Sequence, residues 1–122
     1  MSHKARVLTF GYTDEEQVLI NQRLSEIGVP PPTRLEKRHG SVVIGDILGR
    51  GRIGSEEFDC REHLVLFYNL SETGVRSLMR VFKSLEIPKP IFAIVTETSI
   101  TWTLEQLMEH LIEEKRAHEG SA

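Results

Sequence analysis

One cysteine in 122 residues leaves no intramolecular disulfide to form, and a lone thiol fits a reducing, cytoplasmic setting. Long hydrophobic runs are missing too. The longest apolar stretches, Leu64 to Tyr68 and Ile91 to Val95, fall far short of the ~20 residues that a helical bilayer span requires. The apolar segment after Met1-Ser2-His3-Lys4-Ala5-Arg6 ends at Gly11, too soon for the core of a secretion signal, which adds to the cytoplasmic expectation. Positive charge is not in excess: 15 Lys and Arg against 18 Asp and Glu give a formal charge of -3, which disfavours nucleic acid as a partner. What is present is an ordinary globular composition with 39% hydrophobic residues. A chain this long buries roughly two-thirds of its unfolded surface, so one domain over residues 1–122 is expected without a structural metal.

Local signals divide the chain into strands and helices. Arg6 to Phe10 reads as a short strand, and Thr13-Asp14-Glu15-Glu16 then places a capping hydroxyl three residues before a carboxylate, the reciprocal helix start. Ile20, Leu24 and Ile27 continue at helical spacing, Gly28 suits the positive φ past a helix end, and Pro30, Pro31 and Pro32 forbid continuation. Thr33 to Lys37 is a weak, polar second strand. Leu64 to Tyr68 is an apolar strand, and Ser71-Glu72 opens a helix with Val75, Leu78, Met79, Phe82 and Leu85 on one stripe, ended by Pro88 and Pro90. Ile91 to Val95 is apolar at every position, which predicts a central strand covered on both faces. Thr103 caps the last helix with Gln106 in the box position, and Leu104, Leu107, Met108, Leu111 and Ile112 keep its apolar spacing. Val42 to Leu48 reads equally as helix or strand.

Residues 7 to 30 lie over residues 65 to 88 at a constant offset of 58: Phe10 falls on Tyr68, Thr13-Asp14 on Ser71-Glu72, Leu24 on Phe82 and Pro30 on Pro88. Two residues of slippage extend the match from Ile44, Ile47 and Leu48 to Leu104, Leu107 and Met108. The chain is therefore expected to be an internal repeat. The fold class predicted is α/β, a small, mostly parallel four-stranded sheet built from two β-α-β-α units with helices on both faces. The alternative is a ferredoxin-like α+β sandwich with an extra C-terminal helix, which requires residues 42–48 to be extended.

The segment Ile87-Pro88-Lys89-Pro90-Ile91-Phe92-Ala93-Ile94-Val95-Thr96-Glu97-Thr98-Ser99-Ile100-Thr101-Trp102-Thr103-Leu104, with its Pro-x-Pro-Ile-Phe-Ala strand, Thr-x-Thr turn and Trp-Thr-Leu helix start, is joined upstream by Phe67-Tyr68-Asn69-Leu70-Ser71. Together these resemble an uncharacterised prokaryotic family, domain of unknown function 3783, over roughly the last 60 residues. The first half is similar only in its Gly-Tyr-Thr-Asp-Glu-Glu helix start. The resemblance implies a domain boundary and a prokaryotic cytoplasmic protein. It brings no reaction, substrate or catalytic residue.

Chemistry-bearing patterns are few. Gly49, Arg50, Gly51, Arg52 and Gly54 fall in a G-x-G-x-x-G string, a weak candidate anion-binding loop, because only Ser55 to His63 separates it from the next strand. His110, Glu114 and His118 recur along one helix face and Cys60 stands three residues from His63, but neither group completes a metal set, so no metal and no cofactor are expected. If all strands ran the same way, the residues past their carboxyl ends would gather at one rim beside helix N-termini. Tyr12, Thr13, Asn69, Ser71, Thr96, Glu97, Thr98 and Trp102 would then form a site for a small anionic ligand. With no acid, base and nucleophile converging, the sequence favours a non-enzymatic protein-interaction or regulatory module, a homo-oligomer or a binder of a protein partner. The alternative is a domain that binds a small anion or nucleotide at that rim or loop, with catalysis left open.

Overall fold

In the computed structural model, which describes residues 5–51 and 53–120, the chain divides into two compact units. The first comprises the chain up to Leu35 with Arg61–Val95, and the second comprises Glu36–Cys60 with the chain from Thr96 onward.

The first unit holds a four-stranded sheet of β1 (Arg6–Phe10), β2 (Thr33–Leu35), β3 (Leu64–Tyr68) and β4 (Ile91–Ile94), in the order β2-β1-β3-β4. Helix α1 (Asp14–Glu26) joins β1 to β2, and α3 (Glu72–Ser84) joins β3 to β4. Each helix starts where its cap predicts. Thr13 Oγ1 accepts from the Glu16 amide at 3.2 Å while Glu16 Oε1 accepts from the Thr13 amide at 2.9 Å. Ser71 Oγ accepts from the Gly74 amide at 3.1 Å. Past α1, Gly28 takes φ +77° and its amide donates to Ser25 O, the turn that a helix end of this kind requires.

Parallel pairs flank an antiparallel centre. Leu8 lies opposite Thr33 in the β1/β2 pair and Leu64 opposite Ile91 in the β3/β4 pair, both parallel, whereas β1 and β3 run in opposite senses with Leu8 facing Leu66. The bounds of β1 and α1 fall on those of β3 and α3 at the offset of 58, and the Leu8–Leu66 pair stands at that same offset. One sheet face carries Val7, Val65 and Phe67 against Ile20 and Leu24 of α1 and Val75, Leu78 and Phe82 of α3. The other face of the two central strands, Leu8, Phe10, Leu64 and Leu66, is buried as well, which explains why β3 is apolar at every position.

Two expectations are corrected here. The antiparallel centre sends the carboxyl ends of β1 and β3 to opposite poles, so Tyr12 and Thr13 do not share a rim with Asn69 and Ser71. Apolar spacing is unchanged when a whole β-α-β unit is turned end for end, so it carries no information on this point. Ile91–Ile94 is not central but an edge strand, paired with β3 alone. Its unbroken apolar character therefore does not record two covered faces: Ile91, Phe92 and Ala93 are half-buried and Ile94 is 54% exposed.

The second unit contains α2 (Ile44–Arg50) and α4 (Leu104–Gly120), with short 3-10 turns at Lys37–His39 and Ser99–Thr101. Thr103 and Gln106 form the reciprocal cap of α4, at 2.9 and 3.1 Å. Residues 42–48 settle as both readings in turn: Val43 bridges Thr103 in extended conformation, and the helix begins at Ile44. The ladder around that bridge runs from the Ile44 amide to Trp102 O at 2.9 Å and from the Leu104 amide to Val42 O at 3.2 Å. Val42, Ile44, Ile47, Leu104, Leu107 and Met108 are the buried apolar residues of this unit. With residues 44–50 helical and two of the three strand pairs parallel, the ferredoxin-like alternative is set aside.

Candidate functional site

The outer edge of β4 is the most distinctive surface of the first unit. The Ile91 amide donates to His63 O and the Val95 amide to Phe67 O, both at 2.8 Å, so the odd-numbered residues pair with β3. By the strand's alternation, the N–H and C=O groups of Phe92 and Ile94 point away from the sheet. That row is a template for another strand. The opposite edge, β2, is only three residues long and follows three prolines, which blunts it.

Beside β4 lies an apolar cleft of about 380 Å³, lined by Phe82, Leu85, Ile87, Pro90 and Phe92 with Lys83 and Lys89 among the walls. Phe92 holds its floor in place, stacked on Phe67 with centroids 6.1 Å apart and meeting Phe82 edge-on at 6.2 Å. Both lysines are exposed, and among the described residues neither has an ion pair or hydrogen bond.

The edge and the cleft both fall in the part of the chain that has a family match. Residues 63–117 match the family described as a domain of unknown function (DUF3783). No curated protein and no solved structure matches the chain. The DUF3783 match begins beside β3, takes in α3 and β4, and runs through most of α4. Among the described residues no helix is long and apolar enough to cross a membrane.

Most of the residues singled out from sequence are engaged in local structure. Thr13 and Ser71 cap helices, and Asn69 takes a left-handed φ of 57° at the turn into α3. Within the second unit, the Thr96 amide donates to Ser99 Oγ at 2.9 Å and the Ser99 amide to Thr96 Oγ1 at 3.0 Å, while Thr98 O accepts from Thr101 Oγ1 at 2.7 Å. Glu97 is exposed. Trp102 packs edge-on against His110, 5.3 Å between centroids. In the Gly/Arg loop, Gly49 and Arg50 belong to the last turn of α2, and Gly51 ends that helix at φ +62° with its amide on Ile47 O. Gly54 donates to Arg38 O at 2.8 Å, and Arg52 lies outside the described residues. These glycines lie in and after the last turn of a helix, at the negative end of its dipole, where a dinucleotide loop precedes an N-terminus. His110 pairs with Glu114 at 2.9 Å, and no metal-binding group of three or more His, Cys, Asp or Glu occurs among the described residues.

Tyr12 is not at a ligand rim but in the core, 5% exposed, with its hydroxyl donating to Pro88 O at 3.0 Å and its ring 5.0 Å from that of His63. Burial, with a smaller contribution from the Glu16 carboxylate, raises its phenol above the ordinary value. The folded state then keeps a proton that the unfolded chain gives up, so the stability from this group is complete below pH 10 and lost as pH rises beyond it. Urea midpoints measured from pH 9 to 11 are expected to fall more steeply for the natural protein than for Tyr12→Phe. The linkage ceiling is about 1.4 kcal/mol per pH unit, lowered where solvent screens the ring's edge. Parallel curves for the two proteins would show the phenol to be unperturbed.

Sequence reasoning missed the edge because it placed β4 in the middle of the sheet. The usable signal was Lys89 and the two prolines that bracket it, since charge and proline gather where a strand meets solvent.

Proposed function

We propose that this protein is a non-enzymatic interaction module that takes an extended segment of a partner protein as a fifth strand along β4. One observation carries the reading: an apolar strand stands at the sheet edge with the backbone groups of Phe92 and Ile94 turned outward and Ile94 more than half exposed. Natural sheets cover, shorten or charge such an edge; here Pro88, Lys89 and Pro90 guard its start, and Ile91–Ile94 beyond them is left apolar. Strand addition needs no acid, base or metal. It draws affinity from main-chain hydrogen bonds and selectivity from alternate side chains.

Ile94→Pro removes one outward N–H without touching a bond to β3, a position where edge strands accept proline. Peptides selected from a random extended library on the natural protein are expected to bind this variant at least tenfold more weakly. A library that yields no binders, or binders indifferent to the substitution, would sink the reading.

A further inference from the structure

We infer that the segment accepted along β4 is acidic, with a large apolar side chain seated in the cleft beside Phe92 and carboxylates on either side of it; this rests on the strand-addition reading above. In an extended peptide, alternate side chains point to one face. Phe92 and Ile94 lie on the α3 side of the sheet, since they pair with Val65 and Phe67, whose side chains pack there. A strand beside β4 therefore turns every second side chain toward the same cleft. Phe82, Leu85, Ile87 and Phe92 offer it an apolar anchor site of about 380 Å³, within the range of ligand clefts.

The charged residues that line the cleft are of one sign, with the exposed Glu86 between Leu85 and Ile87 outside the lining. Lys83, in the last turn of α3, and Lys89, before β4, both line the cleft, and no acidic residue does. Neither ammonium has a partner among the described residues. The cations are local to a chain whose formal charge is -3, so the patch stands against the overall sign of the molecule. Carboxylates two positions before and after the anchor residue share its face and complement the two lysines, whereas lysines there would meet like charge.

The test uses three fluorescent ten-residue peptides of β-forming composition. The first has a central Phe with Glu two residues away on each side, the second replaces both Glu by Lys, and the third replaces Phe by Ala. Binding is followed by anisotropy to the natural protein, to K83E/K89E and to Ile94→Pro. Both lysines are exposed, so the double variant should keep the native circular dichroism spectrum. The acidic peptide is expected to bind at least tenfold more tightly than the lysine peptide, with the preference reversed in K83E/K89E and reduced by salt. The Phe→Ala peptide is expected to lose at least tenfold. Equal binding of acidic and lysine peptides, still abolished by Ile94→Pro, would overturn the acidic inference and leave strand addition standing. Binding unaffected by any variant would overturn both. A concentration-dependent dimer that Ile94→Pro dissociates, with no uptake of the acidic peptide, would make the occupant a second copy of this chain and end the inference.

Discussion

Replacing Gly11 by alanine is expected to destabilise the protein by about 3 kcal/mol, the sum of two penalties that each cost about 1–2 kcal/mol. Gly11 has φ +94°, a conformation that side chains rarely adopt, and a Cβ there would stand 2.6 Å from Glu62 O and 3.3 Å from the His63 Cα. The obstacle is backbone just before β3, so no rotamer change relieves it. Gly28 separates the two penalties, because it has φ +77° with nothing within 4 Å of a built Cβ. Gly28→Ala should therefore cost only the conformational part, about 1 kcal/mol. Urea denaturation of both variants checks this, and equal losses would mean that the close approach to Glu62 carries no energy.

The second large effect lies in a buried polar pair that no spacing rule singled out. Thr9 is fully buried, and its Oγ1 donates to Gln17 Oε1 at 2.9 Å; Gln17 Nε2 in turn donates to Asn21 Oδ1 at 3.1 Å. No buried side-chain nitrogen or oxygen is left unsatisfied among the described residues. Gln17→Leu removes the acceptor and strands the Thr9 hydroxyl in the core, at a cost of about 2 kcal/mol. Adding Thr9→Val removes the orphaned group as well, and the double variant should recover at least half of the loss. A double-mutant cycle reads the coupling directly. If Thr9→Val fails to improve the Gln17→Leu background, the hydrogen bond is not what the pair contributes.

The two sites also show where a sequence is informative. The offset that lays Phe10 on Tyr68 pairs Gly11 with Asn69, and both take left-handed φ at the end of a strand. Thr13 and Ser71 were readable as caps because a cap is satisfied within three residues, and α4 was readable from Thr103 to Ile112 for the same reason. Thr9 was not, since its partner is eight residues away on another element and its burial depends on how α1 lies on the sheet. The candidate site fared worse. Thr96, Glu97 and Thr98 looked like a rim because they follow a strand, yet Thr96 and Ser99 satisfy each other in a turn.

By itself the sequence determined the strands, the helices, their caps and the pairing of β1 with β2 and of β3 with β4 through a helix, because contacts within a few residues and a short crossover settle these. Only the tertiary structure decided that β1 and β3 meet antiparallel and that β4 is left at the edge. The same apolar alternation fits either sense of pairing, and the apolar run of Ile91–Ile94 fits a buried or an open strand. What lies across from a strand is a property of the assembled sheet. That property turned an expected core strand into an open edge of the sheet.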